Sequence, residues 1–226
     1  MIVISLGGSL LFKEGNSDFN LQYLKDFSKV LQPASKNGLA VLVGGGGIAR
    51  KYVTAGREFQ ATEFQCDTLG IRVTRLNSRI VAHSLGEKAV YCHNLTEGEA
   101  ALKHGKIAVM GGLIEGITTD ACSMLLAEQS GAKAVANLSN VDYLYSADPR
   151  SDKNAKKLEK LTHAELTQLA VDADKRLART NFPFDLVACR LAQRSNIELK
   201  FVDGHNLKEV ENALGGKQFK GTVVKD

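Results

Sequence analysis

Four consecutive glycines, Gly44 to Gly47, end an apolar run, Val41-Leu42-Val43, and are followed at once by the helix-compatible Ile48-Ala49-Arg50. This order predicts a buried strand, a loop without side chains and a helix N-terminus. Residues lacking Cβ let backbone N–H groups approach a ligand closely and accept positive φ. The helix start adds unpaired donors and the positive end of a dipole. Together these favour a phosphate. A tight turn with no ligand is the plain alternative, although one or two glycines suffice for that. The pattern recurs. Met1 to Leu6 is apolar apart from Ser5 and runs into Gly7-Gly8-Ser9. Ile107 to Met110 runs into Gly111-Gly112, with Gly116 and Thr118-Thr119-Asp120 just beyond. Ligands of open α/β sheets sit outside the carboxyl ends of the strands. Three glycine turns at three such ends therefore predict one shared cleft for more than one phosphate.

The elements that position these residues alternate. Strands are expected at Met1–Leu6, Leu39–Val43, Glu87–Tyr91, Lys106–Met110, Ala132–Leu138, Ile197–Val202 and Gly221–Val224. Leu21, Leu24, Phe27 and Leu31 recur at helical spacing, and their helix is expected to stop near Pro33. Further helices are expected over Ala49–Phe59, Thr62–Leu85 (with Leu69, Val73, Leu76 and Ile80 on one face), Glu97–Lys103, Thr118–Ser130, Thr162–Val171, Leu186–Arg194 and Leu207–Leu214. Thr118 or Thr119 suits an N-cap, and Ser139–Asn154 reads as a polar loop region. Strands alternating with helices predict an α/β fold, a mostly parallel sheet with helices on both faces. With three prolines, no low-complexity linker and no internal repeat, one compact domain with two lobes is the simplest organisation.

The bulk numbers narrow the classes. The 226 residues can bury a substantial core. Hydrophobic content of 44% and charged content of 24% are those of an ordinary soluble protein. A formal charge of +4 is mild and its basic residues are scattered, so nucleic acid is not indicated. The one denser stretch, Lys153–Lys160, reads as a solvated loop. Cys66, Cys92, Cys122 and Cys189 form no CxxC pair, which predicts reduced thiols in a cytoplasm and no zinc site. The N-terminal apolar run is too short for a signal peptide. No run approaches the roughly 20 apolar residues that span a bilayer. The five histidines stand in no constellation with a nucleophile and are expected to be structural or exposed.

Two phosphate-binding motifs can be set aside. Gly44-x-Gly46-x-x-Ala49 formally matches the dinucleotide pattern. That pattern requires an acidic residue at the end of the next strand, about 20 residues on. Glu63 stands near that distance, but in helical surroundings. GxxxxGK[ST] is absent.

Six stretches instead occur in a telling order: Val3-Ile-Ser-Leu-Gly-Gly-Ser-Leu-Leu11, Val43-Gly-Gly-Gly-Gly-Ile-Ala-Arg50, Asp67-Thr-Leu-Gly-Ile-Arg-Val-Thr-Arg-Leu-Asn77, Val109-Met-Gly-Gly112, Thr118-Thr-Asp-Ala121 and Asn140-Val-Asp-x-x-Tyr-x-x-Asp-Pro149. Together they resemble the amino acid kinase superfamily over nearly the whole chain, and within it the archaeal uridylate kinase branch. The resemblance implies a three-layer αβα sandwich and Mg²⁺-dependent transfer of phosphoryl from ATP to UMP. It also implies an acceptor (UMP) lobe over about residues 1–120 and an ATP lobe over about 121–226, usually assembled as a hexamer. Gly7, Gly8 and Ser9 would then contact the ATP phosphates, and Gly46 and Arg50 would also face ATP. Ser139, Asn140, Tyr145 and Asp148 would embrace adenosine. Gly45 would sit on UMP, Asp67 would hold its ribose, and Leu113, Gly116, Thr118 and Thr119 would line its phosphate and base. Asp120 matches an aspartate that organises the catalytic groups, beside Arg50 and Ser9, and Mg²⁺ would be carried mainly by the ATP phosphates.

The chemistry of these residue types is compatible with such roles. Phosphoryl transfer needs positioning and charge neutralisation more than covalent chemistry. Glycine turns supply N–H donors, and an arginine gives planar multidentate contact. No strong base is required, because a phosphate oxygen of UMP is already an anionic nucleophile. An aspartate offers acceptors to a ribose diol. Plainer readings stand beside each role: Asp67 as a helix N-terminal charge, Thr118 and Thr119 as caps, Tyr145 as a turn aromatic, Asp148-Pro149 as turn chemistry, and Arg50 as a solvated helix residue.

The chain also departs from the family pattern. The lysine common near the first glycine turn is replaced by Ser5 and Leu6, and Gly47 stands where a lysine is common in near relatives. The expected polar acceptor loop becomes Leu113-Ile-Glu-Gly-Ile117, whose apolar Leu113 and Ile117 are positioned to reshape the acceptor pocket. Two classes of function follow: a nucleoside monophosphate kinase (or a kinase of another phosphate monoester, carbamate or carboxylate on the same fold), and a non-catalytic nucleotide-binding protein used for sensing or storage.

Overall fold

Ile2–Leu6 (β1) and Leu39–Val43 (β2) are buried at every position. A parallel strand covered on both faces has no solvent side, so it reads as an unbroken apolar run. The computed structural model describes residues 1–15, 17–147, 149, 152–175 and 184–226. The remaining strands among them are β3 (Ala89–Tyr91), β4 (Ile107–Met110), β5 (Ala134–Ser139), β6 (Leu144–Tyr145), β7 (Lys157–Leu158), β8 (Lys160–Leu161), β9 (Glu198–Asp203) and β10 (Thr222–Val224). The helices are α1 (Leu21–Ala34), α2 (Gly46–Glu58), α3 (Glu63–Leu85), α4 (Leu95–Lys103), α5 (Thr119–Ser130), α6 (His163–Lys175), α7 (Leu186–Ser195) and α8 (Leu207–Leu214).

One eight-stranded sheet runs in the order β3-β4-β2-β1-β5-β9-β10-β8. From β3 to β9 every neighbouring pair is parallel. Then β10 runs antiparallel to β9, and β8 runs parallel to β10. Side chains alternate across the sheet. Ile4, Leu6, Val41 and Val43 pack with α1, α3 and α8, while Val3, Ala40, Leu42 and Val135 pack with α4, α5, α6 and α7. The result is the three-layer αβα sandwich. Its order reverses at β1, with β2 on one side and β5 on the other, so the crevice over β1 is where such sheets bind ligands.

Several expected details differ. Helix α1 runs through Pro33 to Ala34. A proline so close to the C-terminal end sacrifices one hydrogen bond without splitting the helix. Leu21 opens that helix but is exposed. On α3 the expected apolar face is displaced: Leu76 and Ile80 are exposed, and the buried stripe is Cys66, Val73, Asn77 and Val81. Polar side chains on that stripe serve the glycine turns described below, which hydrophobic periodicity cannot reveal. The stretch expected as solvated loop over Lys153–Lys160 holds β7 and the first residue of β8. The Ser139–Asn154 region likewise holds β6, which pairs antiparallel with β7. All four cysteines are free and buried.

Candidate functional site

The turns after β1 and β2 interlock. Gly7 N–H donates to Leu138 O and Gly44 N–H to Leu6 O, each at 2.8 Å, carrying the ladder one residue beyond the strands. Gly8 then meets the second turn so closely that a Cβ on it would lie 2.3 Å from Gly44 O and 2.4 Å from Gly46 N. Gly46 has φ +62°, a conformation that favours glycine, and opens α2 without any side-chain cap. The first donors of that helix are therefore left to a ligand or solvent. From the other side, Asn77 of α3 donates its Nδ2 to Gly44 O at 2.9 Å, fixing the turn against the helix.

Asp120 lies at the base of these turns. Thr118 caps α5 by accepting Ala121 N–H at 3.1 Å, which places Asp120 in the first turn. An acidic group there is favoured by the helix dipole. Below it, Ser5 and Asn137 are register partners on β1 and β5. Both point to the α5 face. Ser5 Oγ donates to Asp120 Oδ1 at 2.5 Å and Asn137 Nδ2 to the same oxygen at 3.0 Å. Burial, the largest influence, pushes the Asp120 carboxyl up to about 7; the two hydrogen bonds oppose that rise and the nearby charge of Asp185 adds to it.

A cleft of about 860 Å³ opens above this floor. Gly7, Ser9, Arg50, Thr119, Asp120, Ser139, Asn140 and Tyr145 all line it, so eight of the residues singled out in the sequence meet in one cavity. Gly8 and Gly46 lie directly behind its wall, in mutual contact. Arg50 is the one cationic side chain among the described lining residues. Tyr145 donates its hydroxyl to Asp142 Oδ1 at 2.8 Å, and Lys157 reaches Asp142 Oδ2 at 2.6 Å. Burial alone raises the Asp142 carboxyl, but these two partners outweigh it and hold the group below its usual range. Asp148 lies outside the described residues.

A second group gathers on α3, apart from this lining. Asp67 Oδ2 accepts the N–H of Gly116 at 2.8 Å. Thr68 Oγ1 donates to Glu115 Oε1 at 2.7 Å. Arg75 donates Nε to Gly112 O at 3.0 Å and Nη2 to Leu113 O at 2.8 Å, while Thr74 Oγ1 accepts Gly112 N–H at 2.7 Å. One helix thus holds the whole Gly112–Gly116 loop. A Cβ on Gly45 would lie 3.5 Å from the same Thr74 side chain. Leu113 and Ile117 turn their side chains towards the α5-side core, and Ile114 is the exposed member of the loop. The apolar substitutions therefore anchor the loop; the expectation that Leu113 and Ile117 reshape a pocket finds no support in this packing. Thr118 also donates to Asp185, which caps α7 by accepting Ala188 N–H.

Sequence reasoning missed Asn137, Thr74, Arg75, Asn77, Glu115 and Asp185. Asn137 had a signal: it is the one polar residue inside the apolar run Ala134–Leu138, as Ser5 is inside Met1–Leu6. Asp185 precedes a helical segment in the usual capping position. Thr74 and Arg75 lie inside the Asp67–Asn77 stretch, but nothing local gives their roles, because the loop groups they hold lie 37 or more residues away.

Among the described residues no group of three or more His, Cys, Asp or Glu side chains is placed to hold a metal ion. Mg²⁺ does not need one. It is commonly held by one or two carboxylates together with substrate phosphates and water. Asp120, half-buried in the cleft floor without an ion-pair partner among the described residues, fits that use.

The model of the amino acid kinase family matches residues 1–203. The uridylate kinase of Methanospirillum hungatei is 42% identical over 226 residues, 99% of this chain and 94% of the relative. That of Methanocorpusculum labreanum is 37% identical, with the same coverage of both. Among solved structures, the uridylate kinase of Archaeoglobus fulgidus has a TM-score of 0.83 at 34% identity, covering 99% of each chain.

Proposed function

Since the chain belongs to the amino acid kinase family, we propose that it is a nucleoside monophosphate kinase that transfers the γ-phosphoryl group of ATP to UMP, giving ADP and UDP. The observation that carries this reading is the close contact of the Gly8 and Gly44–Gly46 backbones beside a cleft lined by Gly7, Ser9, Arg50 and Asp120. Two side-chain-free turns thus adjoin a cleft that holds one carboxylate and one arginine.

The cleft beside β5 receives ATP. Ser139, Asn140 and Tyr145 form its adenosine side, and the Gly7–Ser9 turn with Gly46 and Arg50 forms its phosphate side. The first half of the chain, about residues 1–120, supplies the acceptor side through α3 and the loop it holds; the second half supplies the adenosine side. Asp67 takes the UMP ribose, and Gly45, Gly116, Thr118 and Thr119 surround its phosphate and base. Backbone N–H groups in place before reaction stabilise charge as it spreads over the transferring group. Arg50 adds a planar cation in the cleft that lacks the family's usual lysine. Asp120 would hold the Mg²⁺, which would supply neutralisation of the phosphate charge. No side-chain base is needed, because the attacking UMP oxygen is anionic.

UDP formation would serve pyrimidine nucleotide biosynthesis, and the compartment proposed for it is the cytoplasm. The chain works as a homo-oligomer, with a hexamer as the assembly. Exposed Tyr52 and Phe59 on or beside α2, and Phe64, Leu76 and Ile80 on α3, support self-association through these two packed helices; the hexamer rests on the family resemblance. Incubation with γ-labelled ATP and UMP tests the activity. Label in UDP is expected. Label appearing only as inorganic phosphate, or no transfer at all, rejects it in favour of a nucleotide-binding protein.

A further inference from the structure

Asn137 is 6% exposed, lines the cleft and donates its Nδ2 to Asp120, yet its Oδ1 is buried without any hydrogen-bond partner. Buried acceptors are rarely left so in folded proteins. Turning the amide over offers no escape. It sets the amide oxygen against an Asp120 oxygen that already accepts from Ser5, two acceptors face to face. An ionised Asp120 therefore holds Asn137 with its donor inward and its bare oxygen unmatched.

The surroundings say what kind of group is missing. Asp120 has no cationic partner among the described residues, and both of its bonds end on Oδ1. Asp185 adds further negative charge nearby. On β1 the hydroxyl of Ser5 is itself spent on Asp120. An amide and a carboxylate on side chains that are hydrogen-bonded to each other and line one cleft short of positive charge offer oxygen ligands suited to a hard divalent cation.

We infer that Asn137 and Asp120 together seat the divalent cation that accompanies the nucleotide, with Ser5 fixing the carboxylate. This rests on reading the cleft as the nucleotide site. It adds to that reading a specific cation-binding residue, Asn137, contributed by β5.

The test measures ADP binding by calorimetry with and without Mn²⁺, and follows bound Mn²⁺ by electron paramagnetic resonance. In the unaltered protein Mn²⁺ tightens ADP binding. In Asn137→Leu the ratio of the two dissociation constants falls at least about tenfold, the range seen when metal-site residues are removed, and the bound-Mn²⁺ signal weakens. A second variant keeps the question open to test if the first folds poorly. Asn137→Asp sets a second carboxylate against Asp120, so its melting temperature drops without metal and rises with Mg²⁺ by more than that of the unaltered protein. A wild-type ratio in Asn137→Leu, or a melting temperature of Asn137→Asp indifferent to Mg²⁺, overturns the inference. ADP binding that never depends on metal also overturns it while leaving the nucleotide site standing. Absence of ADP binding altogether removes the reading of the cleft, and the inference with it.

Discussion

Ser5 and Asn137 stand side by side on β1 and β5, and their side chains end on one oxygen of Asp120. Desolvation outweighs these two hydrogen bonds and makes Asp120 costly to ionise, and that yields a prediction about pH. Its carboxyl rises from 3.8 to about 7 on folding. A carboxyl raised on folding binds its proton more tightly in the native state, so stability is greatest below the unfolded value and falls as pH climbs towards the folded one. That shift is on the order of 4 kcal/mol over the full window. Asp120→Asn removes this slope. In metal-free buffer, its advantage over the unaltered protein grows by roughly 1.4 kcal/mol per pH unit between pH 4 and 7. Urea unfolding at pH 5.5 and pH 7 measures it; parallel curves for the two proteins would be the contrary result. The same variant loses kinase turnover.

Asp67 accepts the Gly116 N–H, and the proposed function gives it the UMP ribose. Asp67→Ala raises the KM for UMP by about tenfold or more, the consequence of losing a charge-assisted hydrogen bond. The KM for ATP moves little. Steady-state kinetics with each substrate varied decide this, and an unchanged UMP KM refutes the ribose role.

Arg75 binds two carbonyls of the acceptor loop at once. Lysine cannot reproduce a planar two-pronged donor. Arg75→Lys is therefore expected to loosen Gly112–Gly116, raising the UMP KM several-fold with ATP affinity nearly intact. Hydrogen exchange should show faster opening of the Gly112 and Gly116 amides. Equal exchange in both proteins would mean that the loop is held by something else.

Gly8 has no room for a methyl group, since the atoms in the way are backbone. Gly8→Ala must push the two glycine turns apart. We expect loss of ATP binding together with destabilisation of about 1–3 kcal/mol, the usual cost of overpacking. Gly216→Ala is the contrast: its Cβ meets nothing within 4 Å, so strain from a φ of +70° acts alone and ATP binding survives. Calorimetric titration of ATP into both variants separates them, and ATP binding by Gly8→Ala at wild-type strength contradicts the close-approach argument.

The sheet was legible because buried parallel strands are continuous apolar runs: Leu39–Val43 carries its own boundaries, and Gly38 and Gly44 mark its ends. The glycine turns were legible for the same reason, as interruptions too long for a simple bend. The burial of α3 was not. Its inner face carries Thr74 and Asn77, buried because they hold turns of distant segments, and Ser78, whose hydroxyl donates to Thr74 O of the same helix. A periodicity argument sends such residues to solvent and draws Leu76 and Ile80 inward. Asn137 shows the limit differently. A lone polar residue in a buried strand was visible, but only the register of β1 with β5 shows that it shares Asp120 with Ser5. Asp148, named with the adenosine side, lies outside the described residues.

The central claim is the identity of the acceptor. The most direct measurement is ADP release from Mg-ATP with UMP, CMP, AMP, glutamate, carbamate and isopentenyl phosphate assayed in parallel, compared as kcat/KM. The account predicts turnover with UMP well above every other acceptor. Turnover led by any other compound, or none with any of them while ATP still binds, contradicts it.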